Sequence, residues 1–222
     1  MTTTTLPRVR KDLGIEGKSA KWMADMTGKS LDRWVDLAKK IAGQLPPNGA
    51  VLDVATGPGY FCIELAKLGP YAVSGLDLSH TLVEIASKKA LEAGVAVDFR
   101  QGNASSMPFA DDTFDFLQCR GAFKNFGQPV SALQEMYRVL KPGGLGVIKD
   151  LSRNAPRQSL NQTINTWGLG LFDRILTKFF FQYRVRKNAY TKDQFQMMLA
   201  QTKFSRVKVE EKDIDIIVSM WK

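Results

Sequence analysis

The sequence predicts an α/β fold in which helices cover both faces of a mostly parallel sheet. Between residues 50 and 150, short apolar runs with strand character alternate with segments of helical spacing. A glycine-rich turn joins the first of these strands to the helix that follows it. Two short strands joined by a turn close the sequence. Because strands that alternate with helices at this spacing form parallel sheets, we expect one α/β domain.

The elements are predicted in order from apolar periodicity and from turn residues. Residues 19–45 have helical spacing with a break near Gly28, and a Pro-Pro-Asn-Gly turn ends that segment. Strands are then predicted at 50–55, 71–77, 95–100, 113–119, 145–150, 204–210 and 214–220. Helices are predicted at 59–68, 79–93, 130–140 and 191–200, with Ser79 and Thr191 as caps. Turns are predicted at 141–144 and 211–213.

The composition is that of a globular protein, with 44% apolar and 24% charged residues. No apolar run reaches the roughly 20 residues of a membrane-spanning helix, and the N-terminus lacks the apolar core of a signal peptide. Cys62 and Cys119 have no metal-ligand spacing and the chain has one histidine, so no metal site is expected. Free thiols without an export signal predict a cytoplasmic location.

The net charge of +9 is unevenly distributed. Residues 51–150 have nine basic and eleven acidic side chains, whereas 1–50 have nine and five, and 151–222 have thirteen and six. The positive excess therefore lies in the two flanks. It suits an anionic substrate, an anionic membrane surface or nucleic acid, and it equally suits an ordinary solvated surface.

The strongest motif runs from Val51 to Tyr60, where a buried strand enters a glycine-rich turn that opens a helix. Glycine allows a sharp bend and a close ligand approach, and free amides at the helix start face that ligand. Asp77 ends the next strand, 18 residues beyond Gly59, where a carboxylate can accept hydrogen bonds from both ribose hydroxyls of a nucleoside. The turn alone is weak support, since dinucleotide enzymes use a similar one.

Four further motifs follow, at 102–104, 107–109, 111–115 and 138–144. With them, residues 48–150 resemble the class I S-adenosylmethionine (SAM)-dependent methyltransferases, in the small-molecule branch that includes the C-methyltransferases of ubiquinone and menaquinone synthesis. The resemblance implies a Rossmann-like sheet of seven strands, mostly parallel, with the last strand antiparallel. It also implies SAM as cofactor and S-adenosylhomocysteine as product.

The resemblance assigns roles to individual residues, and it leaves two alternatives open. Asp53 is either a ligand or a support for the turn, and Cys119 is either near the sulfonium or a core residue. Ala55 and Asn103 depart from the family, which usually has glycine and aspartate there; an amide oxygen still accepts from the adenine amino group. The implied cofactor residues are Asp53, Ala55, Gly57 and Gly59 around the methionine part, Asp77 at the ribose, Leu78, Asn103 and Ala104 at the adenine, and Cys119 and Arg120 near the sulfonium.

Catalysis needs a nucleophile held in line, and a base only if the acceptor must lose a proton. The candidate bases are Asp150, His80 and Tyr190. Asp150 ends the fifth strand, where open parallel sheets bind ligands. His80 stands at a helix start, and Tyr190 follows an aromatic segment.

We expect a single methyltransferase domain over 1–222, with an N-terminal helical cap at 1–47, a SAM-binding core at 48–150, a lid or substrate segment at 151–190, and a C-terminal helix and strand pair at 191–222. Aromatic and basic residues interleave over 167–187. That segment suits a cover over a hydrophobic acceptor, a peripheral contact with an anionic membrane, or an ordinary core helix with a basic face.

The predicted function is methyl transfer from SAM to a small, partly hydrophobic molecule. A nucleic acid methyltransferase is the second reading, although residues 119–123 lack the Asn/Asp-Pro-Pro-aromatic motif of base-amino methylation. A SAM-binding protein that transfers no methyl group is the third. A dehydrogenase is disfavoured by the closing strand pair, which resembles that of the methyltransferases.

Overall fold

Seven strands form one mixed sheet in the order β3-β2-β1-β4-β5-β7-β6. This is a computed structural model, and it describes residues 9, 11, 12, 14–166 and 170–222, without the side chains of Phe180 and Arg184. The strands are β1 (Ala50–Val54), β2 (Ala72–Asp77), β3 (Asp98–Gln101), β4 (Phe114–Arg120), β5 (Leu140–Leu151), β6 (Arg206–Lys212) and β7 (Asp215–Trp221).

The strand directions confirm the predicted sheet. β1 pairs in parallel with β2 and β4, β2 with β3, and β4 with β5. β7 is antiparallel to both of its neighbours, β5 and β6. The chain first moves outward from β1 to β3 and then returns to place β4 on the other side of β1. Such a reversal opens a crevice at the carboxyl ends of the strands, where α/β proteins bind ligands.

Helices connect most of these strands, and their ends follow local rules. The Ser79 hydroxyl accepts from Leu82 N at 3.1 Å, and Thr191 forms a reciprocal cap with Gln194. The predicted break near Gly28 is present between the first two helices. The helices are α1 (Gly17–Gly28), α2 (Leu31–Ala42), α3 (Tyr60–Ala66), α4 (His80–Glu92), α5 (Pro129–Val139), α6 (Arg157–Asn165), α7 (Leu171–Phe180), α8 (Arg186–Asn188) and α9 (Lys192–Leu199).

The core lies on both faces of the sheet, because successive strand residues point to opposite sides. Within β1, Val51 packs on the face covered by α2 and α3, whereas Leu52 packs on the face covered by α5 and α9. Both residues are fully buried. A strand buried on both faces has a continuous apolar run rather than an alternating one, and this explains the pattern of the sequence at β1.

Several predicted boundaries are wrong, and three of these differences concern the edges of strands. β5 begins at Leu140, so residues 141–144 form an irregularity within the β4–β5 pairing rather than a turn before the strand. β3 begins at Asp98 rather than 95, because Val95 N still donates to Ala90 O at the end of α4. The closing turn is at residues 213–214 rather than 211–213: Glu211 and Lys212 belong to β6, and Asp213 takes the left-handed conformation with φ 56°.

The segment between β5 and α9 leaves and rejoins the sheet at one place. Ser152 and Tyr190 form an isolated β-bridge, and Arg153 N donates to Tyr190 O at 3.1 Å. α6, α7, a π-helical turn at Phe181–Val185 and α8 lie between them. Residues 167–169 of the predicted aromatic segment lie outside the described residues. Within the described ranges, no helix is both long and apolar enough to span a bilayer.

Candidate functional site

A cavity of about 340 Å³ lies at the carboxyl ends of β1, β2 and β4. This volume is in the range of small-molecule pockets, roughly 300–1,000 Å³. It is also the place where the strand order reverses, so the topology positions it. Its lining comes from the ends of strands, the loops after them, and a roof made by the N-terminal segment with α1 and α2.

The loop after β1 has three residues in the left-handed region: Ala55 (φ 58°), Gly57 (φ 58°) and Gly59 (φ 76°). A Cβ at Gly57 would meet nothing closer than Met23 Cε at 4.0 Å, so a side chain has room there. Glycine is favoured at this position because of its left-handed backbone conformation. At Gly59, a Cβ would lie 2.5 Å from Phe99 Cζ and 2.9 Å from Ala86 Cβ. Gly59 therefore allows the loop to pack on the sheet and on α4.

Asp77 holds this loop to the end of β2. Its Oδ2 accepts from Gly57 N at 2.8 Å, and its Oδ1 accepts from Ser79 N at 2.9 Å. The residue is 9% exposed, and burial raises the pKa of its carboxyl group. Each carboxylate oxygen has two lone pairs, so both oxygens keep acceptor capacity towards the cavity that Asp77 lines.

Asp53 is a second buried carboxylate in the cavity wall. Its Oδ1 accepts from Gln118 Nε2 at 3.1 Å, and its Oδ2 accepts from the Thr56 hydroxyl at 2.9 Å. Desolvation outweighs these hydrogen bonds and raises the pKa of Asp53 to about 6. Because a cationic ligand would replace the lost hydration of this carboxylate, the site favours positive charge beside it.

Arg120 ends β4 beside these carboxylates and lines the same cavity. Burial lowers the pKa of its guanidinium, and it makes no ion pair with any described carboxylate. Arg33 of α2 stands exposed at the cavity mouth, with its guanidinium 4.9 Å from the Trp34 ring centroid. The cavity thus has acceptor groups at one side and guanidinium donors at β4 and α2.

The structure brings most of the predicted cofactor residues together. Two of them do not line the cavity: Gly59 packs against Phe99, and Cys119 is fully buried in the core. Burial also raises the pKa of the Cys119 thiol. The predicted residues that line the cavity are Asp53, Ala55, Gly57, Asp77, Leu78, Asn103, Ala104 and Arg120.

The three candidate bases are not among the residues that line the cavity. Asp150 is 3% exposed and engaged with Lys124, accepting from its Nζ at 2.8 Å and from its backbone N at 2.9 Å. The His80 side chain is 63% exposed, with Nδ1 3.5 Å from a Glu84 oxygen. Tyr190 is buried, with its ring centroid 5.9 Å from that of Phe123.

An N-terminal strap, which we define as Asp12 together with Gly14–Glu16, crosses the site and was missed by the sequence analysis. Asp12 Oδ2 accepts from Asn103 Nδ2 at 3.0 Å, and Asp12 Oδ1 accepts from Gly127 N. Asn103 Oδ1 accepts from Ser105 N at 2.9 Å. The Asn103 amide can donate a hydrogen bond to Asp12. An aspartate at position 103, which is usual in the methyltransferases that this chain resembles, would instead repel the Asp12 carboxylate.

Glu16 fastens the other end of the strap to the start of α4. Its carboxylate accepts from His80 N at 2.9 Å, from Thr81 N at 3.0 Å and from the Thr81 hydroxyl at 2.6 Å. The hydroxyl of Ser79 donates to Ile15 O at 2.6 Å. The hydrogen bonds from Thr81 hold the pKa of Glu16 below its usual value. An anionic group at a helix N-terminus also interacts favourably with the helix dipole.

Comparison with known proteins places this site in a family context. A methyltransferase domain model matches residues 52–148. A ubiquinone/menaquinone biosynthesis C-methyltransferase of Geotalea daltonii is 40% identical over 110 residues, covering 48% of this chain and 47% of that protein. A demethylmenaquinone methyltransferase of Lactiplantibacillus plantarum is 39% identical over 127 residues, covering 55% and 53%. The chain therefore spans about half the length of the curated relatives it matches.

Solved structures share the fold over a larger part of the chain. A protein of Methanococcus maripaludis, provisionally described as a SAM-dependent methyltransferase, matches with a TM-score of 0.77 at 23% identity, covering 97% of both chains. The plantazolicin methyltransferase BamL, solved with S-adenosylhomocysteine, has a TM-score of 0.70 at 16% identity, covering 91% and 89%. The [4+2]-cyclase SpnF has a TM-score of 0.66 at 15% identity, covering 97% and 98%. The fold alone therefore does not fix the reaction.

Proposed function

We propose that this chain transfers the methyl group of SAM to a small, partly hydrophobic acceptor, since a methyltransferase domain model matches residues 52–148. The observation that carries the proposal is the buried pair Asp53 and Asp77 in one cavity beneath a glycine-rich loop. SAM, when bound, supplies a methyl group activated by a positively charged sulfur, and S-adenosylhomocysteine is the product.

The described residues fit that cofactor. The open lone pairs of Asp77 suit the two ribose hydroxyls, and the apolar side chains of Leu78 and Ala104 suit the adenine faces. Asp53 suits the cationic part of the molecule, because its carboxylate is desolvated and lacks a cationic partner in hydrogen-bond contact. Asn103 keeps acceptor capacity for the adenine amino group while it holds Asp12.

We place the acceptor between β4 and α2, where Trp34 and Phe126 provide apolar surface and Arg33, Arg120 and Asn125 provide polar groups. The curated relatives are named for ubiquinone and menaquinone precursors, and this lining suits an aromatic acceptor of that kind. A guanidinium at Arg120 would bind an oxygen of the acceptor ring and increase its negative character. Positioning and exclusion of water then provide much of the rate.

We assign Asp150 a positioning role. Through Lys124 it fixes the turn after β4 that presents Asn125 and Phe126 to the cavity. The roof made by the N-terminal strap, α1 and α2 excludes water from the reacting atoms. The functional division of the single domain remains our proposal: a helical cap at 1–47, a SAM-binding core at 48–150, a lid or substrate segment at 151–190, and a C-terminal helix and strand pair at 191–222.

Asp77→Asn tests the cofactor assignment. The amide keeps one acceptor oxygen but loses the charge, so we expect SAM affinity, measured by calorimetry, to fall about tenfold or more. Asp98→Asn, an exposed carboxylate at the start of β3, is the matched control and should leave the affinity unchanged. Melting temperatures of both variants separate lost binding from lost folding. An Asp77→Asn protein that is folded and binds SAM normally would reject the ribose assignment.

The acceptor class is tested with SAM labelled in its methyl group, incubated with the pure protein and a cell extract. Label in the small-molecule fractions, above all the organic-soluble one, supports the proposal. Label in nucleic acid would replace the acceptor class with RNA or DNA and make the basic flanks its binding surface. Bound SAM without transfer, tested across soluble and membrane extracts, would favour a SAM-binding protein of another kind.

A further inference from the structure

One side of α7 and of the turn after it is a solvent-facing apolar stripe. Phe172 is 77% exposed, Ile175 60%, Leu176 57%, Phe179 62% and Tyr183 58%. Their spacing of three and four residues places them along one side of the helix. The Phe179 and Tyr183 rings lie 4.6 Å apart between centroids, so the stripe continues beyond the helix end.

α7 buries very little against its own protein. None of its described side chains is fully buried, whereas the neighbouring helix α6 buries Leu160 and Ile164 in a small core cluster. Monomeric soluble proteins seldom expose a large contiguous apolar patch unless that patch binds another molecule or a membrane. The apolar side of α7 is therefore not packed in the described core.

The charges around the stripe are almost all positive. Residues 151–190 contain seven basic side chains and one acidic side chain, Asp173. The Arg157 guanidinium binds Gln182 and the Tyr183 hydroxyl, both neutral groups, and the Arg186 guanidinium binds the Arg153 carbonyl. Six of these cations have described side chains, and none of the six forms an ion pair with a described carboxylate: Arg153, Arg157, Arg174, Lys178, Arg186 and Lys187.

We propose that α7 and the turn after it dock on an anionic phospholipid surface. An apolar stripe flanked by uncompensated cations is the pattern of helices that lie in the membrane interface. The stripe would enter the boundary between headgroups and acyl chains, and the cations would contact headgroup phosphates. The headgroups of anionic phospholipids complement a surface whose charges are almost all positive.

The position of residues 152–190 relates this docking to the cavity. The segment leaves the sheet at Ser152, directly after β5, and returns to it at Tyr190, so its two ends lie at the carboxyl edge of the parallel strands, as the cavity does. A partly hydrophobic acceptor dissolves in the same bilayer, so docking would bring the cavity edge to it. The inference does not depend on methyl transfer, because lipid binding is measured without any turnover.

The test is flotation of the full chain with vesicles of phosphatidylcholine alone or mixed with phosphatidylglycerol. We expect binding to the mixed vesicles at least about tenfold stronger than to the neutral ones, and weaker in high salt. Phe172→Ser with Ile175→Ser should abolish most binding to both. Arg174→Glu with Lys178→Glu should remove the preference for phosphatidylglycerol. The matched control is Lys88→Glu with Leu91→Ser on α4, where Leu91 is 80% exposed; it should bind like the parent.

Three results would overturn the proposal. Equal flotation of the α7 and control variants would show that the stripe does not bind lipid. A dimer that dissociates in the Phe172 and Ile175 variant without vesicles would assign the stripe to a second copy of the chain. A changed KM for a soluble acceptor, with no flotation in any variant, would make α7 a cover of the cavity. Flotation by a protein that transfers no methyl group would contradict the proposed function and leave this inference standing.

Discussion

The Asn103 side chain connects two parts of the site through its hydrogen bonds. Its amide donates to Asp12 and its oxygen accepts from Ser105 N, so the residue joins the roof of the cavity to its wall. The sequence pattern indicated Asn103 through a family resemblance, but its partner was not predictable. Asp12 is 91 residues away in the chain, and no periodicity connects the two.

We expect Asp53 to make SAM binding depend on pH. Its pKa of about 6 means that the carboxyl group is protonated in acid and loses its attraction for a cation. We therefore expect SAM affinity to rise between about pH 5 and pH 7 and then to level off. Asp53→Asn should bind weakly with a flat pH profile over that range, as calorimetry would show. Asp36→Asn, an exposed carboxylate on α2, should keep the parent profile.

The same shift affects the stability of the free protein. Because the folded pKa of Asp53 is raised, the folded state binds more protons than the unfolded state between about pH 4 and pH 6, and this contribution to stability falls as pH rises. Urea unfolding of Asp53→Asn should lack that component. A parent-like pH slope in the variant would show that other carboxyl groups produce it.

At the scale of elements, the apolar periodicity of the sequence predicted most of the strands. It failed at strand boundaries that depend on tertiary contacts. β1 and β4 follow from apolar runs, whereas the early start of β5 does not follow from Lys141 to Gly144, which are ordinary turn residues. There the Asp115 carboxylate accepts from Lys141 Nζ and from Ala50 N, both at 2.8 Å. That contact ties the irregular pairing to β1. The stripe on α7 was visible in the sequence, but its exposure was not.

The N-terminal strap is an element whose attachment can be measured. Glu16→Gln removes the charge and one acceptor from the cap on α4, so the strap should detach more often. We expect trypsin to cleave after Lys11 or Lys18 severalfold faster than in the parent, and SAM to dissociate faster. Glu84→Gln, on the same helix and beside the exposed His80 side chain, is the control and should be cleaved at the parental rate. Equal cleavage of both variants would show that Glu16 does not hold the strap.

At the scale of the whole molecule, the two thiols lie on opposite faces of the sheet. Cys62 packs with α2 and α3, and Cys119 packs with α5 and α9. Burial raises the pKa of both thiols well above the usual value, so little reactive thiolate forms. The sequence predicted a parallel sheet with helices on both faces, but it did not predict which face would hold each thiol.

These thiols should report on opening of the two halves of the core. In native conditions we expect both to react with a thiol reagent at least about a hundredfold slower than in denaturant, and at equal rates, because one sheet joins the halves. Mass spectrometry of the labelled peptides measures each rate separately. Early labelling of Cys62 alone would show that the half bearing α2 and α3 opens independently.

The bridge between Ser152 and Tyr190 has a further consequence for how such proteins diversify. Residues 153–189 begin and end at neighbouring points, and none of the described residues among them belongs to a strand of the sheet. Lengthening a loop whose ends are already joined costs little, because the cost of loop closure grows only slowly with length. We therefore expect that this stretch can be exchanged between homologous scaffolds, which would give a new anchoring site while the strands around the cavity stay unchanged.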